Sequence, residues 1–155
     1  MTVDHPGGGE DGWCIQQAVI VDAAPEAVWQ WIGTPARLSR WWCPLPTVRI
    51  RFEPTEDGHY QESYDDGDDR YDLTGTVIDY TPKERLTIER ETSGRFGPTD
   101  RVSLSLSSTA NGTRVVLVHT FKDLPATRQN DAETFFAEPW SESLLQLQRL
   151  VEGQE

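Results

Sequence analysis

Three ionisable residues sit where an alternating pattern turns them toward a protein interior. His119 shares its parity with Val115, Leu117 and Phe121 in TRVVLVHTF, Glu62 falls between Tyr60 and Tyr64 in HYQESY, and Arg90 follows Leu86 and Ile88 in RLTIERE. An inward imidazole could act as a general base or orient a polar ligand; the plainer reading is a hydrogen-bonded core or rim histidine. Glu62 and Arg90 are expected to face each other, because an unpaired buried charge is costly. A structural ion pair is favoured over a clamp for a substrate carboxylate. His59 has the opposite parity to Glu62 and lies next to a turn, so it is expected at the surface.

Around these residues the chain is rich in rings: Trp29, Trp31, Trp41, Trp42, Phe52, Tyr60, Tyr64, Tyr71, Phe136 and Trp140. A cup closed by amphipathic rings suits a flat or aromatic ligand, although plain core filling uses the same residues. Trp29 is expected to pack under short helices, and Trp42, Phe52, Tyr60 and Trp140 to face a cavity. With Glu62, Tyr64, Arg90, Leu104, His119 and Phe136 they make up the expected ligand-binding set. There is no Ser/His/Asp or Cys/His arrangement, no phosphate-cradling glycine loop and no metal-ligand spacing, so no catalytic residue, metal or cofactor is assigned. Cys14 and Cys43 are isolated and read as two reduced thiols.

The elements that must position these groups follow from periodicity. In the last stretch, Phe136, Trp140, Leu144, Leu147 and Val151 recur at helical steps, which predicts a helix from about Asp131 to Glu152. Asn130 with Glu133 resembles a capping box, and Gly153 suits the stop. CIQQAVIVD reads as a first strand. Pro25 and Pro35 then start two short helices split at Gly33, with Thr34 as the second N-cap. TVRIRFE and HYQESY form a hairpin, YDLTGTVIDY is a strand in which Gly75 marks a bulge or close backbone approach, and RLTIERE follows. SGRFGP reads as a turn-rich connection to RVSLSLS, whose Val102, Leu104 and Leu106 point inward. Asn111-Gly112 turns the chain into TRVVLVHTF, and Lys122 to Gln129 is a connection. Residues 1–12 are expected to be a disordered tail, and residues 13–155 a single α+β domain with a long helix on one face of an antiparallel sheet.

The balance of 26 acidic against 14 basic residues repels phosphate backbones and anionic lipid, which argues against nucleic acid and membrane as partners. The acidic run DDGDDR lacks calcium-loop spacing. No run approaches the roughly 20 apolar residues of a membrane span, and the first residues lack signal-peptide character; a soluble cytoplasmic protein is expected.

VIVDAAPEAVWQWI, RLSRWWCP, LTGTVIDYTPKERLTIE, NGTRVVLVHTF and PWSESLLQLQRLVE, in that order and spacing, resemble the SRPBCC (START-like) superfamily. Within it the likeness is to the group named for the activator of the heat-shock-protein-ninety ATPase, and it spans Ile15 to Glu152. The resemblance implies a helix-grip fold, a curved seven-stranded antiparallel sheet around the C-terminal helix with a cavity between them. It implies no shared catalytic set, since members range from lipid and hormone binders to polyketide aromatase/cyclases and co-chaperones. Two departures stand out. Pro139 replaces a Gly often found before the helix Trp, which predicts a bend there; and Arg90 stands where an aromatic is common, placing a cation at or near the pocket. The leading expectation is a module that binds a small hydrophobic or aromatic molecule. A cyclase-, aromatase- or hydrolase-like enzyme using His119 or Glu62 is the alternative, then a co-chaperone-like interaction protein; a homodimer is left open.

Overall fold

Alternation of apolar and polar residues builds the sheet strand by strand. The computed structural model describes residues 13–43, 48–94 and 96–153; the expectations for the N-terminal tail, the turn after Cys43 and Arg95 fall outside them. Seven strands, β1 (Trp13–Val21), β2 (Val48–Phe52), β3 (His59–Asp65), β4 (Arg70–Thr81), β5 (Arg85–Gly94), β6 (Gly97–Ser108) and β7 (Thr113–Phe121), form one sheet. Every neighbouring pair is antiparallel, in the order β1-β7-β6-β5-β4-β3-β2. Val48, Ile50 and Phe52 on β2, and Val102, Leu104 and Leu106 on β6, are buried as their parity requires. SGRFGP is less a loop than expected: both strands run almost to its centre, and Phe96 at the turn is buried.

Between β1 and β2 lie two short helices, α1 (Pro25–Trp29) and α2 (Pro35–Leu38), each with proline at its start, where the missing N–H costs no helical bond. Thr34 occupies the N-cap of α2, but its hydroxyl makes no capping bond. These helices bury Val28 and Leu38 and carry the chain to Trp41 and Trp42, both fully buried. Trp41 satisfies its indole N–H at the carbonyl of Trp31, 2.7 Å away.

Two features let the sheet curve. The β4–β5 register slips between Val77 and Asp79, the signature of a bulge, which bends and twists a strand. Two residues earlier Gly75 meets the β5 backbone so closely that an added Cβ would lie 2.1 Å from the Glu89 carbonyl oxygen.

The long helix, α3 (Ala126–Val151), starts earlier than its periodicity suggests. Pro125 leaves the chain in extended backbone (φ −61°, ψ 148°), and nothing in Ala-Thr-Arg-Gln resists helix, so winding begins at Ala126. Asn130, the expected cap, therefore lies inside the helix. Its end is as expected: Gly153 has φ 77° and its N–H reaches the Leu150 carbonyl. Twenty-six residues span about 39 Å, and the helix is unbroken at Pro139. Trp140, Leu144, Leu147 and Leu150 are buried, with Leu150 rather than Val151 completing the stripe because a 3.6-residue period straddles both. Edge strand β1 is tied to α3 by Gln17 Nε2 donating to the Ala137 carbonyl (2.7 Å) and Gln148 Nε2 to the Ile20 carbonyl (2.8 Å).

Candidate functional site

Strand register assembles a buried polar chain on the face that α3 covers. Tyr60 pairs with Gly75, Gly75 with Arg90, Arg90 with Asp100 and Asp100 with Phe121, so these residues form one row across the sheet. The place between Tyr60 and Arg90 is held by a residue without a side chain, which leaves the guanidinium a path across β4. Arg90 Nη1 reaches both oxygens of Glu62 (3.0 and 3.2 Å), while Nε and Nη2 grip Asp100 (2.8 and 2.7 Å) in the bidentate geometry guanidinium favours. Glu62 also accepts from Trp42 Nε1 at 3.2 Å and from the hydroxyls of Tyr60 and Tyr71, each at 2.5 Å. Asp100 Oδ2 lies 2.7 Å from His119 Nε2, and Trp140 Nε1 donates to His119 Nδ1 at 3.0 Å. The chain thus runs from Trp42, just after α2, through side chains of five strands, β3 to β7, to α3.

This geometry assigns the protons. Because the Trp140 indole can only donate, His119 Nδ1 must be bare, and the imidazole proton sits on Nε2, facing Asp100. Burial holds His119 below its ordinary pKa, against the opposing pull of Asp100. The indole contact favours the same neutral state, since a second ring proton would face the Trp140 N–H. His119 is fully buried and its ring centroid lies 4.2 Å from that of Phe121 and 4.6 Å from that of Phe136. For Asp100 burial works toward protonation, but the Arg90 charge, helped by His119, outweighs it and holds the carboxyl well below the usual range. Arg90 likewise keeps its proton although burial opposes its charge, because Asp100 and Glu62 flank it. Burial, reinforced by Glu62, pushes the phenols of Tyr60 and Tyr71 up, so both remain donors. Burial also pushes the Cys43 thiol up to about 12.

A cavity of about 680 Å³ opens beside this network, between the sheet and the N-terminal half of α3. Arg90, Asp100, Tyr71 and Cys43 give it a polar floor. Phe96, Phe121, Phe135, Phe136 and Trp140 line it with clustered rings, Tyr64 and Leu73 also line it, and the exposed Asp69, Arg70 and Asp72 stand at the rim. Pro139 lines it as well. The C-terminal half of α3 packs Leu144, Leu147 and Leu150 into the core instead.

Of the residues expected from sequence, Tyr64, Arg90, Phe136 and Trp140 line the cavity. Tyr60, Glu62, Trp42 and His119 lie behind its floor as hydrogen-bonding partners, while Leu104 and Phe52 belong to the packed core. His119 therefore does not enter the cavity, and the orienting partners that sequence did not reveal are Asp100 and Trp140. Arg90 forms the structural ion pair favoured from sequence: Nε, Nη1 and Nη2 all donate to Glu62 or Asp100. Asp100, Tyr71, Phe96 and Phe121 went unassigned, though Asp100 shares the parity of Val102, Leu104 and Leu106, and Phe121 that of His119. His59 is exposed, as its parity predicts. Among the described residues no cluster of three or more His, Cys, Asp or Glu side chains could hold a metal ion, and no helix is long and apolar enough to cross a membrane.

A curved antiparallel sheet gripping one long C-terminal helix, with two short helices after the first strand, is the helix-grip architecture of the SRPBCC class. Within it, the chain belongs to the family described as Activator of Hsp90 ATPase homolog 1-like protein, whose model matches residues 22–152. Similar solved structures include a protein from Nitrosomonas europaea, at 20% identity and TM-score 0.75, covering 91% of this chain and 95% of that one. An AHSA1-like protein from Aeromonas hydrophila matches at 21% identity and TM-score 0.66 over 92% and 95% of the two chains. A protein of the dynemicin biosynthetic locus matches at 20% identity and TM-score 0.69, covering 90% of this chain and 47% of that one. At these identities the likeness establishes the fold alone. Comparison with the curated proteins found no match.

Proposed function

We propose that this protein binds a small hydrophobic or aromatic molecule in the cavity between the sheet and α3. The observation that carries this reading is the pairing of a ring-lined wall with a small polar floor around about 680 Å³ of space, a volume within the roughly 300–1,000 Å³ of small-molecule sites. Arg90 and Asp100 are held rigidly by their own partners, so the floor is pre-formed and a ligand would find its polar contacts already oriented. The same geometry lends no support to His119 as a general base: its one bare nitrogen is occupied by Trp140 and it does not face the cavity.

Titration with the neutral dye Nile red, followed by dye emission and by quenching of tryptophan fluorescence, tests the proposal. Saturable binding is expected, weakened at least about tenfold in Leu73→Trp, which puts an indole into the space. Absence of saturation, or equal binding by Leu73→Trp, would overturn it.

A further inference from the structure

The charges around the cavity do not balance. Glu62 and Asp100 are both carboxylates, Arg90 is the cation between them, and His119 is neutral by the hydrogen-bond geometry, so the buried network carries one net negative charge. The hydroxyls of Tyr60 and Tyr71 and the Trp42 indole donate to Glu62 without cancelling its charge. At the rim Asp69 and Asp72 outnumber Arg70. Glu62 is saturated: each oxygen already accepts at least two hydrogen bonds. Asp100 is not: among the described residues Oδ1 accepts only from Arg90 Nε and retains acceptor capacity, and Asp100 lines the cavity. Facing this excess of negative charge is a wall of ring faces, the surface that attracts organic cations. Phe96, part of that wall, already takes a guanidinium: Arg128 stands over its ring at 5.2 Å from the centroid.

We propose that the cavity selects aromatic molecules bearing a cationic amine, with the ammonium held between the ring wall and Asp100 Oδ1, and that it rejects aromatic carboxylates. The proposal rests on the cavity being a ligand site and adds the sign of the ligand's charge. Its chemistry is a balance of two terms. A cation entering the pocket loses water but gains ring faces and a partner for the surplus carboxylate charge, which is already buried. An anion loses water and meets repulsion from Asp100 and Glu62, while the one guanidinium charge that could attract it is already shared between those two carboxylates.

Three probes that share one ring system separate these ideas: naphthalen-2-ylmethylammonium, naphthalen-2-ylmethanol and 2-naphthoate, titrated calorimetrically into the full chain near neutral pH. The ammonium is expected to bind at least about tenfold more tightly than the alcohol, and the carboxylate more weakly than the alcohol. Glu62→Gln keeps an acceptor for Trp42, Tyr60 and Arg90 while removing one charge, and Glu62 does not line this cavity, so the ammonium-over-alcohol ratio should fall severalfold. If the alcohol or the carboxylate binds best to the wild type, the charge inference is wrong while the ligand site stands. If none of the three binds and Nile red fails too, both are wrong. A wild-type preference for ammonium that Glu62→Gln leaves intact would overturn the assignment of that preference to the buried network.

Discussion

Replacing Arg90 with Met removes the cation that stands between two buried carboxylates, and the loss can be worked from its contacts. Four hydrogen bonds between 2.7 and 3.2 Å disappear, and both Glu62 (2% exposed) and Asp100 (5%) lose their counter-charge. Breaking a buried pair from one side costs about 3–5 kcal/mol, a large part of the roughly 5–15 kcal/mol that holds a domain of this size. Tyr60, Tyr71 and Trp42 still donate to Glu62 and His119 to Asp100, which argues for the lower half of that range. The corresponding fall in melting temperature is roughly 6–16 °C, from about 3–4 kcal/mol at about 2–4 °C per kcal/mol. Acid should act oppositely on the two proteins. In the wild type Asp100 is depressed below its unfolded pKa of about 3.9, so its contribution is present above that value and is lost as pH falls through the folded pKa. In Arg90→Met the counter-charge that outweighed burial is gone, the folded pKa of Asp100 rises above its unfolded value, and the folded state takes up that proton first. The deficit of the variant should therefore shrink as pH is lowered from neutral toward about pH 5. Urea unfolding followed by tryptophan fluorescence at both pH values measures this. A deficit under about 1 kcal/mol at neutral pH, or one that grows toward acid, would refute the description of Arg90 as the counter-ion of a doubly acidic buried site.

His119→Gln tests the neutral imidazole. Its depressed pKa means that the wild type's His119 contribution is complete above the unfolded value of about 6.5 and drains away as pH falls below it, so the slope of stability against pH just below about 6.5 should be shallower in the variant; identical slopes would contradict a neutral buried ring. The same variant should cost about 1–3 kcal/mol at neutral pH, from imperfect replacement of the Trp140 and Asp100 bonds. Gly75→Ala forces a Cβ to 2.1 Å from the Glu89 carbonyl oxygen, so β4 and β5 must part there, with an expected loss of about 2 kcal/mol or more in urea unfolding and loss of amide-exchange protection along both strands.

The arrangement of elements was legible because periodicity is written into the chain directly. Val102, Leu104 and Leu106 against Ser103, Ser105 and Ser107 can satisfy one buried and one wet face only as a strand, and the stripe from Trp140 through Leu147 only as a helix. The same parity turned Glu62, Arg90 and His119 inward, and the rule that buried charge seeks a partner paired the first two. The start of α3 was less legible, because Asn130 carries a capping signal that the chain does not use and Pro125 provides the stop from outside. What the sequence determined by itself is which side chains enter the interior and which secondary structure carries them, since both depend on neighbours within a few residues. Only the tertiary structure decided who meets whom. Arg90 and Asp100 are joined by the β5–β6 register, the path from Arg90 to Glu62 is left open at Gly75 on the strand between, and His119 gains its tautomer from a tryptophan on a helix that arrives after the sheet is complete. Register, bulge and helix placement depend on contacts between distant segments, so a residue that parity marks as inward can end in the cavity wall, like Phe136, or sealed behind it, like His119.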